Sequence, residues 1–164
     1  MLKSMTILVD TREKSGKNDH ILNYFDSKNI PWKKYKIDYG DYSCMIPADD
    51  ALKIPKDLYF DKDIVVERKA DLDEICGNIV KERSRLEKEF TLAPANKIMI
   101  IENASYEDMV NGNYMSNYNS KSFWATYHSF WHKYGLPIVF MPDNRYTGMF
   151  IRGYFQYYLH QIFK

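Results

Sequence analysis

The stretch Ile64-Val65-Val66-Glu67-Arg68-Lys69 sets the terms for everything around it. Three apolar residues run directly into an acid and two bases, and Asp71-Leu72-Asp73-Glu74 follows. That order predicts a buried strand with a charged tip and a helix starting just beyond it. Side chains alternate along a strand, so Glu67 and Lys69 share one face and Arg68 takes the other. Charge at the end of an apolar strand costs free energy unless it is solvated, paired or bound to metal. Alone, Glu-Arg-Lys reads equally as a solvated ion pair at a sheet edge.

Apolar runs elsewhere also close on carboxylates. Met5-Thr6-Ile7-Leu8-Val9 is a predicted strand ending at Asp10, and Lys97-Ile98-Met99-Ile100-Ile101-Glu102 is another. Between Asp10 and the organising strand, Asn18 is the expected cap of a short helix carrying Ile21, Leu22 and Phe25. Trp32-Lys33-Lys34-Tyr35-Lys36-Ile37 alternates like a half-exposed strand, and Gly40-Asp41-Tyr42 is a turn into Ser43-Cys44-Met45-Ile46. Residues 47–57, with their prolines and aspartates, read as loop. Leu72, Ile75, Cys76, Ile79, Val80, Leu86 and Phe90 follow helical spacing, with Arg83 on the same seam and Arg85 paired to Glu89 at i,i+4. Residues 103–119 read as a polar loop with a helical turn, 120–134 as a helix capped by Gly135, 137–142 as a strand and 145–164 as a final helix. Strands alternating with helices predict an α/β domain on a mixed sheet, with the 32–70 region as an antiparallel meander.

Composition narrows the function classes. Lys plus Arg number 23 against 22 Asp plus Glu, so any nucleic-acid footprint is local. Arg12, Lys14 and Lys17 cluster after the first strand. The two cysteines, Cys44 and Cys76, lack metal-ligand spacing, which suits a reducing compartment and argues against a disulfide scaffold or a zinc site. No signal sequence opens the chain and no apolar run reaches membrane-spanning length, so a cytoplasmic protein is expected.

Asp10 with Glu13, Asp41, and Glu67 with Lys69 therefore fall at strand ends or turns, where open α/β sheets usually carry their sites. Phosphodiester hydrolysis needs negative charge neutralised and a water activated. Mg²⁺ held by carboxylates does both, and Mn²⁺ can substitute. A lysine two residues from a ligand carboxylate can orient or deprotonate that water, or stabilise developing charge.

Taken in order, Val9-Asp10-Thr11-Arg12-Glu13, Gly40-Asp41-Tyr42, Val66-Glu67-Arg68-Lys69, Leu72-Asp73-Glu74-Ile75, Arg85-Leu86-Glu87-Lys88-Glu89 and Ile100-Ile101-Glu102 closely resemble the nuclease domain of the XPF/Mus structure-specific endonucleases. These belong to the PD-(D/E)xK restriction-like superfamily. The resemblance spans roughly residues 5–102 and implies a restriction-endonuclease-like three-layer α/β/α fold with a central mixed sheet. It implies a Mg²⁺-dependent endonuclease acting on DNA, branched or otherwise structured, in recombination, repair or replication. Asp41 and Glu67 take the metal-ligand places, with Asp10 lining the same site, and Lys69 takes the catalytic-lysine place. Glu13, Arg68 and Asp73 are implied as supporting residues, and Arg12, Lys14, Lys17 and Arg85 as DNA contacts. The family's helical arginine maps to Arg83 or Arg85, the Arg-Leu order favouring Arg85. A single nuclease domain, 1–164, is expected without the helix-hairpin-helix domain of many relatives, as in compact bacterial and phage forms.

A second class of function is a non-catalytic DNA-binding or scaffolding module that keeps the fold; retention of Asp10, Asp41, Glu67 and Lys69 favours the enzyme. His20, His128, His132 and His160 read as packing or surface residues. The final helix is apolar over most of its circumference, where a surface helix needs only one apolar face, so a homodimer through that helix is expected.

Overall fold

The computed structural model describes residues 4–164. In chain order it forms β1 (Thr6–Asp10), α1 (Asp19–Ser27), β2 (Trp32–Tyr35), β3 (Tyr42–Ile46), β4 (Leu58–Tyr59), β5 (Ile64–Lys69) and α2 (Leu72–Leu92). These are followed by β6 (Asn96–Glu102), α3 (Tyr106–Asn111), α4 (Ser120–Tyr134), β7 (Ile138–Met141) and α5 (Thr147–Ile162). The strands form one mixed sheet in the order β2-β1-β3-β5-β6-β7, with β4 paired to β3. Strand β3 runs antiparallel to β1, β4 and β5, while β1/β2, β5/β6 and β6/β7 are parallel.

Strand alternation decides what each face meets. Ile7 and Val9 of β1, Tyr42, Cys44 and Ile46 of β3, and Ile64 and Val66 of β5 pack with Phe25 of α1 and with Ile151, Phe155 and Leu159 of α5. On the other face, Met99 and Ile101 of β6 and Ile138 of β7 pack with α2, with Met109 of α3 and with Phe123, Tyr127 and Phe130 of α4. The resulting fold is α/β with helices on both faces of the sheet. The second layer stops short, however. Leu8, Met45 and Val65 face the α2 side and cluster with Ile37 and Tyr35, and no helical residue joins them. Among the described residues, no helix is long and apolar enough to cross a membrane.

Several expectations are corrected. Residues 32–70 are not a simple meander: β2 sits at the sheet edge parallel to β1, because α1 makes the pair a βαβ crossover. Asn18 occupies the cap position of α1, but its buried side chain donates to the Tyr42 hydroxyl at 3.2 Å instead of capping. Val80 is 61% exposed, and Arg83 lies outside, paired with Glu87; α2 is kinked at Glu82, whose backbone is non-helical. The sheet and α1, where Tyr24 lies against Gly148, cover one side of α5. Met149 and Tyr157 remain exposed.

Candidate active site

Because β3 is antiparallel to both β1 and β5, the C-terminal ends of β1, β5 and β6 and the N-terminal approach to β3 meet at one edge of the sheet. Asp10, Asp41, Glu67 with Lys69, and Glu102 stand in a row across neighbouring strands, which lie about 4.8 Å apart in any sheet. Asp41 is locked into this row by its backbone. Its N–H donates to Val66 O at 2.8 Å, and its carbonyl accepts from Asp10 N at 2.8 Å. The preceding residue has to be glycine: Gly40 has φ +102°, and a Cβ there would stand 2.8 Å from Val65 Cβ.

As alternation requires, Glu67 and Lys69 share a face, and Lys69 Nζ lies 3.2 Å from Glu67 Oε1. Burial, with the charges of Glu67 and Glu13, holds the Asp41 carboxyl well above the usual carboxylate range. Burial also raises the Glu67 carboxyl, an effect that Lys69 only partly offsets. Desolvation disfavours the Lys69 ammonium, but Glu67, Asp41 and Glu74 outweigh it, and its pKa lies above that of a free lysine. The neighbouring carboxylates thus favour the charged form of Lys69.

Carboxylates that crowd and resist ionising together fit a hard divalent cation. Asp41 Oδ2 accepts the Arg68 main-chain N–H at 2.7 Å, while Oδ1 accepts no hydrogen bond among the described residues. No cluster of three or more carboxylate, imidazole or thiol groups is ready to hold a metal among the described residues. Mg²⁺ is commonly held by one or two carboxylates, with waters and substrate phosphate completing its shell, so Asp41 and Glu67 fit it. Asp10 lines the same cleft and also anchors its surroundings. Its Oδ1 accepts from Ile37 N at 2.9 Å, and its Oδ2 accepts from Arg12 Nε at 2.7 Å. It braces the 37–40 turn that presents Asp41.

The chain superposes on XPF from Aeropyrum pernix with a TM-score of 0.62 at 16% identity, over 93% of this chain and 61% of that one. It superposes on XPF from Aeropyrum pernix in complex with DNA with a TM-score of 0.66 at 16% identity, over 95% and 66% respectively. The chain has the fold of these XPF structures. At this identity the likeness speaks for the fold alone. No family model and no curated protein matches the sequence.

In this XPF-type frame a cleft of about 530 Å³ opens beside the row of strand ends, lined by Asp41, Glu67 and Lys69 together with Arg12, Lys14, Lys17 and Arg85. The structure therefore separates the two arginines of α2. Arg85 borders the cleft, held at 3.2 Å by Glu89 and 3.4 Å by Glu82, whereas Arg83 stacks its guanidinium over Phe130. Asp73 is not in the cluster: its Oδ1 accepts from Ser116 N at 2.7 Å and ties the 112–119 loop to the start of α2. Glu13 bridges the two faces, close enough to Asp41 to raise its pKa and 3.6 Å from Arg68 Nη2.

Glu74, Glu89 and Lys97 also line the cleft and carried no role in the sequence reading. The Arg85–Glu89 spacing was a signal for Glu89. Lys97 carried none, because helical and strand periodicity do not show which strand opens onto a cleft. Glu102 was legible as another carboxylate closing an apolar strand, yet its partners lie far away in sequence. Both cysteines are buried, with Cys44 pushed up to about 12 and Cys76 to about 11, so neither is a reactive thiol.

Proposed function

We propose that the chain is a metal-dependent DNA endonuclease that hydrolyses phosphodiester bonds in branched or otherwise structured DNA. One observation carries this reading: a single cleft brings Asp41, Glu67 and Lys69 together with Arg12, Lys14, Lys17 and Arg85. The XPF-type fold, which includes a DNA-bound example, supports it.

In this reading Asp41 and Glu67 hold Mg²⁺. When bound, the ion neutralises phosphate charge and lowers the pKa of its water. Lys69, on the same face as Glu67, orients the attacking water and donates to the charge that develops on phosphorus-bound oxygen. Lys14, Lys17 and Arg85 hold the DNA backbone at the rim, and Arg12 serves both as a rim cation and as the brace of Asp10. Glu13 adds a further carboxylate beside Asp41 and pairs with Arg68 at 3.6 Å. Asp41 Oδ1, which accepts no hydrogen bond among the described residues, would be free to ligate the ion.

The test is incubation with labelled linear, flap, fork and four-way DNA in Mg²⁺, Mn²⁺ or EDTA. Cleavage in either metal and none in EDTA is the expected result. Binding to DNA without cleavage of any substrate in either metal would make the chain a silent DNA-binding module and refute the proposal.

A further inference from the structure

Strand β5 sends Arg68 to the face opposite Glu67 and Lys69. There its Nη1 donates to Glu102 Oε1 at 2.6 Å, and its Nε, although buried, finds no partner. Arg68 is 7% exposed and Glu102 1%. A buried guanidinium is tolerated only where a carboxylate meets it. Glu102 meets more than Arg68. His20 Nε2 lies 2.6 Å from its Oε2, and Thr147 Oγ1 donates to the same oxygen at 2.5 Å. One carboxylate at the end of β6 therefore joins β5, α1 and the first residue of α5. The joint is reinforced one helical turn after His20, where Tyr24 lies so close to Gly148 that a Cβ there would stand 2.7 Å from the ring.

The significance lies in the main chain of Arg68. Its N–H is the one hydrogen-bond donor to the Asp41 carboxylate among the described residues. Arg68 is the penultimate residue of β5, paired with β6 as far as Lys69 but without a backbone partner from β3 at its own N–H, which turns to the Asp41 side chain instead. Holding its side chain on one face fixes the peptide plane that aims its N–H at Asp41. The ends of this relay have no contact with each other, so the link runs through Arg68.

We propose that Glu102 is a positioning residue for Asp41, acting through Arg68 to fix the orientation of that carboxylate toward the divalent cation. The inference rests on the metal-dependent reading above. Partners that orient a metal ligand are commonly worth on the order of 10–100-fold in metal affinity.

The experiment is calorimetric titration of Mn²⁺ into the DNA-free chain, with DNA affinity measured separately in EDTA. Glu102→Gln is expected to weaken Mn²⁺ binding roughly tenfold and to leave DNA affinity in EDTA within about twofold of wild type. Turnover lost at low metal is expected to return as Mn²⁺ is raised. Made in an Asp41→Asn background, the same substitution is expected to add no further loss of Mn²⁺ affinity; a purely structural role would lower both backgrounds alike, and that result overturns the inference. If Glu102→Gln does not fold, Glu102→Asp and Thr147→Val, which keep the buried charge, carry the same comparison. Folded variants that bind Mn²⁺ as wild type does refute the positioning role alone. A wild-type chain that binds no Mn²⁺ refutes the metal-dependent reading and this inference with it.

Discussion

Gly40→Ala is expected to be far more damaging than its single added methyl suggests. At φ +102° an L side chain adds strain of about 1–2 kcal/mol. The new Cβ would stand 2.8 Å from Val65 Cβ, inside any ordinary contact, so the backbone must shift, at about 1–3 kcal/mol. Lower entropy of the unfolded chain returns about 0.4–1 kcal/mol. The net loss is roughly 1–5 kcal/mol, and at about 2–4 °C per kcal/mol for a domain of this size the Tm falls by roughly 2–20 °C. Function should suffer separately, since the shift moves the next residue, Asp41; a misplacement of about 1 Å can cost ~10²-fold in rate. Thermal melts by circular dichroism, with cleavage assayed well below both melting points, separate the two losses. Val65→Ala should rescue only partly, because it removes the γ carbons at 3.2 and 3.4 Å and leaves the β carbon at 2.8 Å. A Gly40→Ala chain melting within about 1 °C of wild type would refute the steric argument, and one cleaving at the wild-type rate would refute the placement of Asp41.

The remaining predictions concern charge and assembly. Asp41→Asn and Glu67→Gln should each lower cleavage by at least about 10²-fold, measured on whichever DNA substrate the wild type cuts. Asp41→Asn should nevertheless raise the Tm of the metal-free chain: the folded-state pKa of Asp41 is raised, so ionisation destabilises the fold as pH climbs from the unfolded carboxylate value through the folded one. Metal-free wild type should therefore melt higher at the acid end of that window, and melts that rise with pH across it would contradict the sign. Lys69→Ala should lower single-turnover cleavage while leaving Mn²⁺ and DNA binding largely intact; lost DNA binding with unchanged chemistry would make Lys69 a phosphate anchor. DNA affinity should fall with salt, and the slope should shrink when Lys14, Lys17 or Arg85 is replaced by Ala; a flat salt response would contradict contacts at the rim. If two chains pair through α5, Tyr157→Glu should dissociate them and leave each folded, whereas Phe155→Glu, at a fully buried position, should unfold the chain. A concentration-independent scattering mass of 19.5 kDa would end the dimer proposal.

Much of the site could be read from the sequence because it is written locally. An apolar run closed by a carboxylate marked Asp10 and Glu67, and alternation alone put Glu67 and Lys69 on one face with Arg68 on the other. What failed was non-local. The position of β2 depends on a crossover through α1, and neighbouring segments in sequence do not reveal it. Asp73 falls where the resembling family has an acid, but its geometry answers to Ser116, 43 residues away. Asn18 has the right side chain for a cap, yet the buried Tyr42 hydroxyl competed for it and won.

The incomplete helical layer over β2-β1-β3 has a consequence for local stability. That half of the sheet has α1 and α5 on one side, while on the other the buried Leu8, Met45 and Val65 cluster with Ile37 and Tyr35 and no helical residue joins them. Strands β6 and β7 carry helices on both sides. Cooperative units of a fold open in order of their apolar cover. Amide protons of β1 and β2 should therefore exchange through a partial opening in which β6 and β7 stay closed. The tip carrying Asp10 would then be the part of the cleft that loosens first, and a ligand spanning the Asp10 and Glu67 ends of the row would slow exchange on the thinly covered side most.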